Sequence, residues 1–446
     1  MSDSPEGQVG RAAATLSFGI AATGLVTYAY FSLASHALDD AEYGKLTLLW
    51  SAVFIVVSIL YRPIEQLLSR TIAERSARGI VSNEYLGVAA ALQLALAAGF
   101  LAVALALREQ LQSGLFGGSG LLYTIFVVAV LAYSASYFTR GYLAGERRFG
   151  LYGALVLCEA MCRLLFALAV ATGLARGVSL VALGVVAAPI ASLAVVPWYL
   201  AISARAKARL STPGDIDGAL PERFTLTRGA TFTAAVIVIM IAEQTLLNAG
   251  PLLVFARHDA AGPALAGFAF NVLFVPRAAL QLFQAAQSSL LPYLTGMRVA
   301  GQLAAFRSTV TRTVALVVGF ALLTATLMLL AGPLVMGVLF GSSGSYDRVG
   351  LAWIAIGMGL FLIAATLNQA ALASGRHRQA AAAWAASAVA YVVMLLVEVD
   401  VDPLLQLELS YVTAGLVLCV VMGLVYRGTT PSGLPPPQTS RPPGFP

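Results

Sequence analysis

Uncharged, apolar runs of about twenty residues, such as 180–200 and 314–330, constrain this chain more than any other feature. Hydrocarbon offers a peptide group no hydrogen-bond partner, so a segment crossing it must be a helix or a strand of a closed barrel. Barrel strands alternate apolar and polar residues over about ten positions, and these runs do not alternate. Composition agrees, because charged residues make up 11% of the chain against roughly 25% in soluble domains. The expected fold class is therefore all-α and polytopic.

Matching the runs to the roughly 17 to 25 residues that a span requires predicts twelve transmembrane helices. They fall at 12–35, 44–65, 85–107, 120–139, 151–174, 178–202, 228–250, 264–290, 309–331, 350–373, 379–397 and 404–426. Lys and Arg mark the cytoplasmic loops of a membrane protein. One set of loops carries Arg70, Arg75 and Arg78, then Arg140, Arg147 and Arg148, then Arg205, Lys207 and Arg209, then Arg298, Arg307 and Arg312. The alternate loops hold only Lys45, Arg108, Arg176, Arg257 and Arg348. This pattern predicts a plasma-membrane protein with both termini cytoplasmic. It also accounts for the net charge of +6 without nucleic acid. The polar segment 1–11 precedes a first apolar run longer than a signal-peptide core, so the first helix is expected to be retained. The Pro-rich stretch 427–446 reads as an extended cytoplasmic tail.

The longest connection, 203–227, divides the chain into an N-terminal six-helix half, 12–202, and a C-terminal one, 228–426. The halves carry traces of a repeat. Gly44 matches Gly267 and Gly79 matches Gly301, whereas Arg62, Gln66 and Leu67 match Arg277, Gln281 and Leu282 in a register about two turns different. Two halves in the same orientation are the plan of a parallel-repeat transporter, with its route between them.

Several segments in this order resemble one family. LDDAEYGKLTLL opens the second span, AEQTLLNAG lies in the seventh, and AGFAFNVLFVP and SSLLPYL lie in the eighth. The chain resembles the polysaccharide exporters and lipid-linked oligosaccharide flippases of the multidrug/oligosaccharidyl-lipid/polysaccharide (MOP) superfamily, over most of residues 12–426. The resemblance implies a MATE/MOP-like bundle that carries lipid-linked glycans from the cytoplasmic to the outer leaflet by alternating access. It also implies as partners the lipid-linked glycan, membrane lipids, and a glycan polymerase or glycosyltransferases. Glu243 departs from the pattern, standing where many relatives have aspartate.

A lipid pyrophosphate crossing hydrocarbon needs cations for its phosphates and neutral hydrogen-bonding groups for its sugars. Charges deep in spans are costly and are the first places to look. Arg277 lies roughly 20 Å along the eighth span, and Gln281, Gln284 and Ser288 follow it on one helical face. Arg62, Gln66 and Ser69 form a similar stripe on the second span, near the cytoplasmic interface, with Glu65 compensating Arg62. In the fifth span Glu159 and Arg163 are spaced to neutralise each other. Glu243 has no basic partner within a turn and is a candidate for ion coupling, with Gln244 and Asn248 beside it as cavity residues.

The three cysteines, Cys158, Cys162 and Cys419, lie in apolar runs, and His36, His258 and His377 stand singly, so no metal or cofactor is expected. Nothing has the spacing of a catalytic triad or phosphate-binding loop. A flippase or exporter for a lipid-linked oligosaccharide or polysaccharide precursor is the reading these features favour. A multidrug or cation antiporter of the same superfamily is the alternative, followed by a polytopic membrane glycosyltransferase or a non-transporting scaffold. The acidic cluster Asp39, Asp40 and Glu42 is the only early one an extracytoplasmic glycosyltransferase site could use.

Overall fold

The computed structural model describes residues 5–77, 84–194, 230–257, 262–277, 290, 294–295, 297–298, 300–341 and 346–428. Among the described residues there is no strand. The first half contains α1 Pro5–Ala37, α2 Asp40–Leu60, α3 Arg62–Ala77, α4 Glu84–Ala106, α5 Gly120–Gly145, α6 Phe149–Ala171 and α7 Val178–Leu193. The second contains α8 Ala230–Arg257, α9 Gly262–Phe274, α10 Leu303–Phe340, α11 Arg348–Ala373, α12 His377–Leu396 and α13 Pro403–Arg427. Among the described residues 9 helices are long and apolar enough to cross a membrane, with Asp40–Ser69 counted as one, and α7 and α9 are shorter apolar helices. With α1, every one of the twelve expected spans overlaps a helix. The connection 203–227 and most of the tail, 429–446, lie outside the described residues.

Element boundaries depart from the apolar runs where polar residues extend a helix. α10 has 38 residues, because a helix satisfies its own backbone beyond the bilayer and hydropathy registers only the part in lipid. The expected span 44–65 is divided at Tyr61, between α2 and α3. Pro63 supplies the reason: without an N–H it cannot bond back to the Ile59 carbonyl. Helix starts are capped conventionally. Asp39, Ser119 and Asp402 accept hydrogen bonds from the Glu42, Leu122 and Leu404 amides at 2.8, 3.2 and 2.9 Å. The acidic cluster at 39–42 thus has a local use in starting α2.

Packing follows the same plan twice. α1 packs on α6, α6 on α7, α5 on α7 and α4 on α5; correspondingly α8 packs on α12, α12 on α13, α11 on α13 and α10 on α11. Small residues permit the close crossings, as where a Cβ on Gly19 of α1 would stand 3.0 Å from the Gly153 Cα of α6. α2 is central and α10 peripheral, with 67% and 11% of their most apolar windows buried.

The halves meet at the end of the bundle away from Pro5 and Arg427. There Tyr43 of α2 donates to the Asn271 side chain of α9 at 2.5 Å. A Cβ on Gly44 would overlap the Pro263 carbonyl, and one on Gly267 would lie 3.1 Å from the Gly44 Cα. One turn deeper an aromatic layer crosses the seam. Phe31 packs on Phe270 and Phe274 at 4.7 and 5.0 Å between ring centroids, and Trp50 packs on Phe31 and Phe54 at 4.8 and 4.2 Å. The Tyr28 hydroxyl donates to the Phe274 carbonyl at 2.5 Å.

Candidate functional site

Two polar sites lie deeper than this aromatic layer, one in each half. In the second half, Arg277 follows Phe274 by about one turn and is half-buried. One of its guanidinium nitrogens donates to Asn248 Oδ1 at 3.2 Å, and Asn248 in turn donates to Gln244 Oε1 at 2.9 Å. Asn248 and Gln244, four residues apart on α8, share one helical face. The titratable groups facing Arg277 among the described residues are the neutral hydroxyls of Tyr28, Tyr391 and Tyr411. Its Nε is buried and, among the described residues, without a hydrogen-bond partner. The sequence accounts for part of this isolation, since no Asp or Glu occurs between Asp259 and Asp347.

In the first half, Arg62, Glu65, Gln66, Tyr137, Arg140 and Tyr152 line a cavity of about 280 Å³. The break at Tyr61 turns α3 toward α5, and glycines let it approach. A Cβ on Gly141 would stand 2.8 Å from the Glu65 carbonyl, and one on Gly145 would stand 2.6 Å from Ile72. Tyr152 of α6 donates to Glu65 Oε1 at 2.8 Å. Arg140 of α5 lies over the Tyr137 ring, 4.5 Å from its centroid, and forms an ion pair with Glu159 of α6. Glu159 is 2% exposed. It also accepts hydrogen bonds from Ser136 at 2.5 Å and Ser192 at 3.2 Å.

The expected Glu159–Arg163 neutralisation is therefore corrected. Glu159 is occupied by Arg140 and two serines, while Arg163 donates to the Tyr133 hydroxyl at 2.8 Å and lies 5.2 Å from the Trp50 ring. Sequence spacing brings the pair within reach, but partners on α5 and α7 satisfy Glu159 first. Glu65 accepts from Tyr152 and also faces Arg62 and Arg140. Arg62 faces both Glu65 and Glu243, the latter from α8 of the other half.

Of the residues singled out in the sequence, the structure brings Arg62, Glu65 and Gln66 together at the cavity, and Arg277, Asn248 and Gln244 into one hydrogen-bonded chain. Gln281, Gln284 and Ser288 lie outside the described residues. Arg140, Tyr137 and Tyr152 were missed. Arg140 reads as a loop cation because the apolar run stops at 139, whereas α5 continues to Gly145. Glu408 on α13 was missed as well; it is buried beside Tyr346, Asp347 and Asp402. Burial beside that carboxylate pushes the Tyr346 hydroxyl well above its usual range. Among the described residues no His, Cys, Asp and Glu cluster could hold a metal ion.

No protein-family model matches the chain, and no curated protein matches it in sequence. Solved structures do match. A multidrug resistance MATE family transporter of the MOP superfamily, in an inward-facing conformation, aligns with a TM-score of 0.67 and 12% identity, over 91% of this chain and 95% of that one. A MOP superfamily transporter from Pyrococcus furiosus, described by a reversed polarity of its binding pocket, gives 0.65 and 12%, over 94% and 96%. A mutant of the Vibrio cholerae MATE transporter VcmN gives 0.62 and 15%, over 94% and 96%. The fold is that of MATE transporters, across nearly the whole chain.

Proposed function

We propose that this chain is a flippase for an anionic lipid-linked oligosaccharide or polysaccharide precursor. The fold supports a membrane transporter, and the observation that carries the finer reading is Arg277. It is a half-buried cation with a fully buried Nε, and its partners among the described residues are all neutral. Burying an uncompensated charge is costly, and a phosphate of the substrate supplies the missing counterion with charge-assisted hydrogen bonds. With the termini cytoplasmic, as the loop charges favour, the seam closes the outer side and the substrate enters from the cytoplasm. The movement draws on an ion gradient or the membrane potential. A glycan polymerase or glycosyltransferase acting on the same lipid is the natural partner.

A multidrug antiporter is the second reading, favoured by the multidrug resistance transporter among these fold relatives. A cation exporter needs carboxylates free to meet its substrate. Here Glu159 is fully engaged, and Glu65 and Glu243 stand against Arg62.

The test uses the full-length protein in liposomes, comparing a fluorescent polyprenyl pyrophosphate-linked sugar with a cationic dye. Wild type is expected to move the lipid between leaflets and not the dye. Arg277→Ala should lower the rate at least tenfold and Arg277→Lys less. A folded Arg277→Ala protein with the wild-type rate, or transport of the dye alone, would overturn the reading.

A further inference from the structure

We infer that the cavity in the first half is a subsite for an uncharged sugar ring, separate from the phosphate site at Arg277. This inference rests on the flippase reading and divides its substrate between the two halves. The charge balance differs between the sites. Arg62 and Arg140 at the cavity face three carboxylates, Glu65, Glu159 and Glu243, and Arg140 is already ion-paired. A phosphate placed here would meet the Glu65 carboxylate. Like charges about 4 Å apart repel by roughly 4 kcal/mol at the effective dielectric of such sites. A neutral ligand incurs no such penalty.

The hydrogen-bonding groups point the same way. The lining offers donors on Arg62 and Arg140, an acceptor oxygen on Glu65, and both kinds on Gln66 and Tyr152. Among the described residues the Arg140 Nε is buried without a hydrogen-bond partner. A phosphate only accepts and an organic ammonium only donates, but adjacent hydroxyls on a sugar do both, matching a guanidinium next to a carboxylate. Organic cations are disfavoured further because Arg140 already covers the Tyr137 ring. A volume of about 280 Å³ is just below the roughly 300 to 1,000 Å³ of pockets for drug-sized ligands, which suits one ring rather than an oligosaccharide. Glu159 is the positioning residue, holding Arg140 in place while Ser136 and Ser192 hold Glu159.

The test measures dissociation constants of purified full-length protein for geranyl pyrophosphate and for its conjugates with glucose, galactose and N-acetylglucosamine. Wild type should bind at least one conjugate tenfold or more tighter than geranyl pyrophosphate. That ratio should fall below twofold in Glu65→Gln and in Arg140→Lys, and should fall in Gln66→Ala, whose exposed side chain makes misfolding no explanation. Arg277→Gln should weaken every ligand while the ratio survives. No gain from any of the sugars, or a ratio unchanged by the three cavity variants, would overturn the sugar subsite. If wild type binds geranyl pyrophosphate no better than a geranyl alcohol control, the flippase reading itself falls.

Discussion

Glu159 shows how one residue can control a site that it does not line. Its carboxylate is enclosed by Arg140, Ser136 and Ser192, so its removal leaves Arg140 charged, buried and unpaired. Breaking such a pair costs about 3 to 5 kcal/mol, whereas losing one neutral hydrogen bond costs about 1 kcal/mol. Thermal unfolding in detergent should therefore rank Glu159→Ala far below Ser192→Ala, and similar melting of the two variants would contradict this network. Sequence spacing alone pairs Glu159 with Arg163, because periodicity sees only one helix at a time. It found Arg62, Glu65, Gln66 and Arg277 because charged and amide groups stand out in apolar runs. It missed Arg140 because the next residues out are the interfacial cations Arg147 and Arg148, and it missed Tyr137 and Tyr152 because tyrosine is common near membrane interfaces.

At the level of helices, the number of spans was legible because bilayer thickness fixes how long each apolar run must be. What the runs could not reveal is where a helix bends or how closely two helices pack. The turn from α2 into α3 depends on Pro63, and the approach of α3 to α5 depends on Gly141 and Gly145. A Cβ at position 141 falls 2.9 Å from the Glu65 Cα, so Gly141→Ala must separate the helices at the cavity wall. Overpacking of this kind costs about 1 to 3 kcal/mol. Gly141→Ala should lower the melting temperature and the transport rate together. At Gly87 of α4, nothing lies within 4 Å of the added methyl, and Gly87→Ala should leave both unchanged.

For the whole molecule, the decisive feature is that the halves close on one another at one end. If the chain works by alternating access, as proposed, this seam must part. In a protein whose three cysteines are replaced by alanine, a cleavable thiol cross-linker joining Tyr43→Cys to Asn271→Cys should stop transport, and reduction should restore it. Transport that continues through the cross-link would show that the seam stays shut throughout the cycle. Gly44→Ala should act oppositely, because its methyl would overlap the Pro263 carbonyl. A cost of about 1.4 kcal/mol shifts such an equilibrium tenfold, which labelling of Asn271→Cys by a membrane-impermeant maleimide would register as faster modification. Gly44 and Gly267 are also counterparts in one register of the internal repeat, and here they touch. In a two-fold assembly only residues on the axis meet their own copies. If the halves repeat in that register, the glycine contact lies where such an axis pierces the seam, giving a single chain the geometry of a homodimer interface. Whatever crowds Gly44 crowds its own twin.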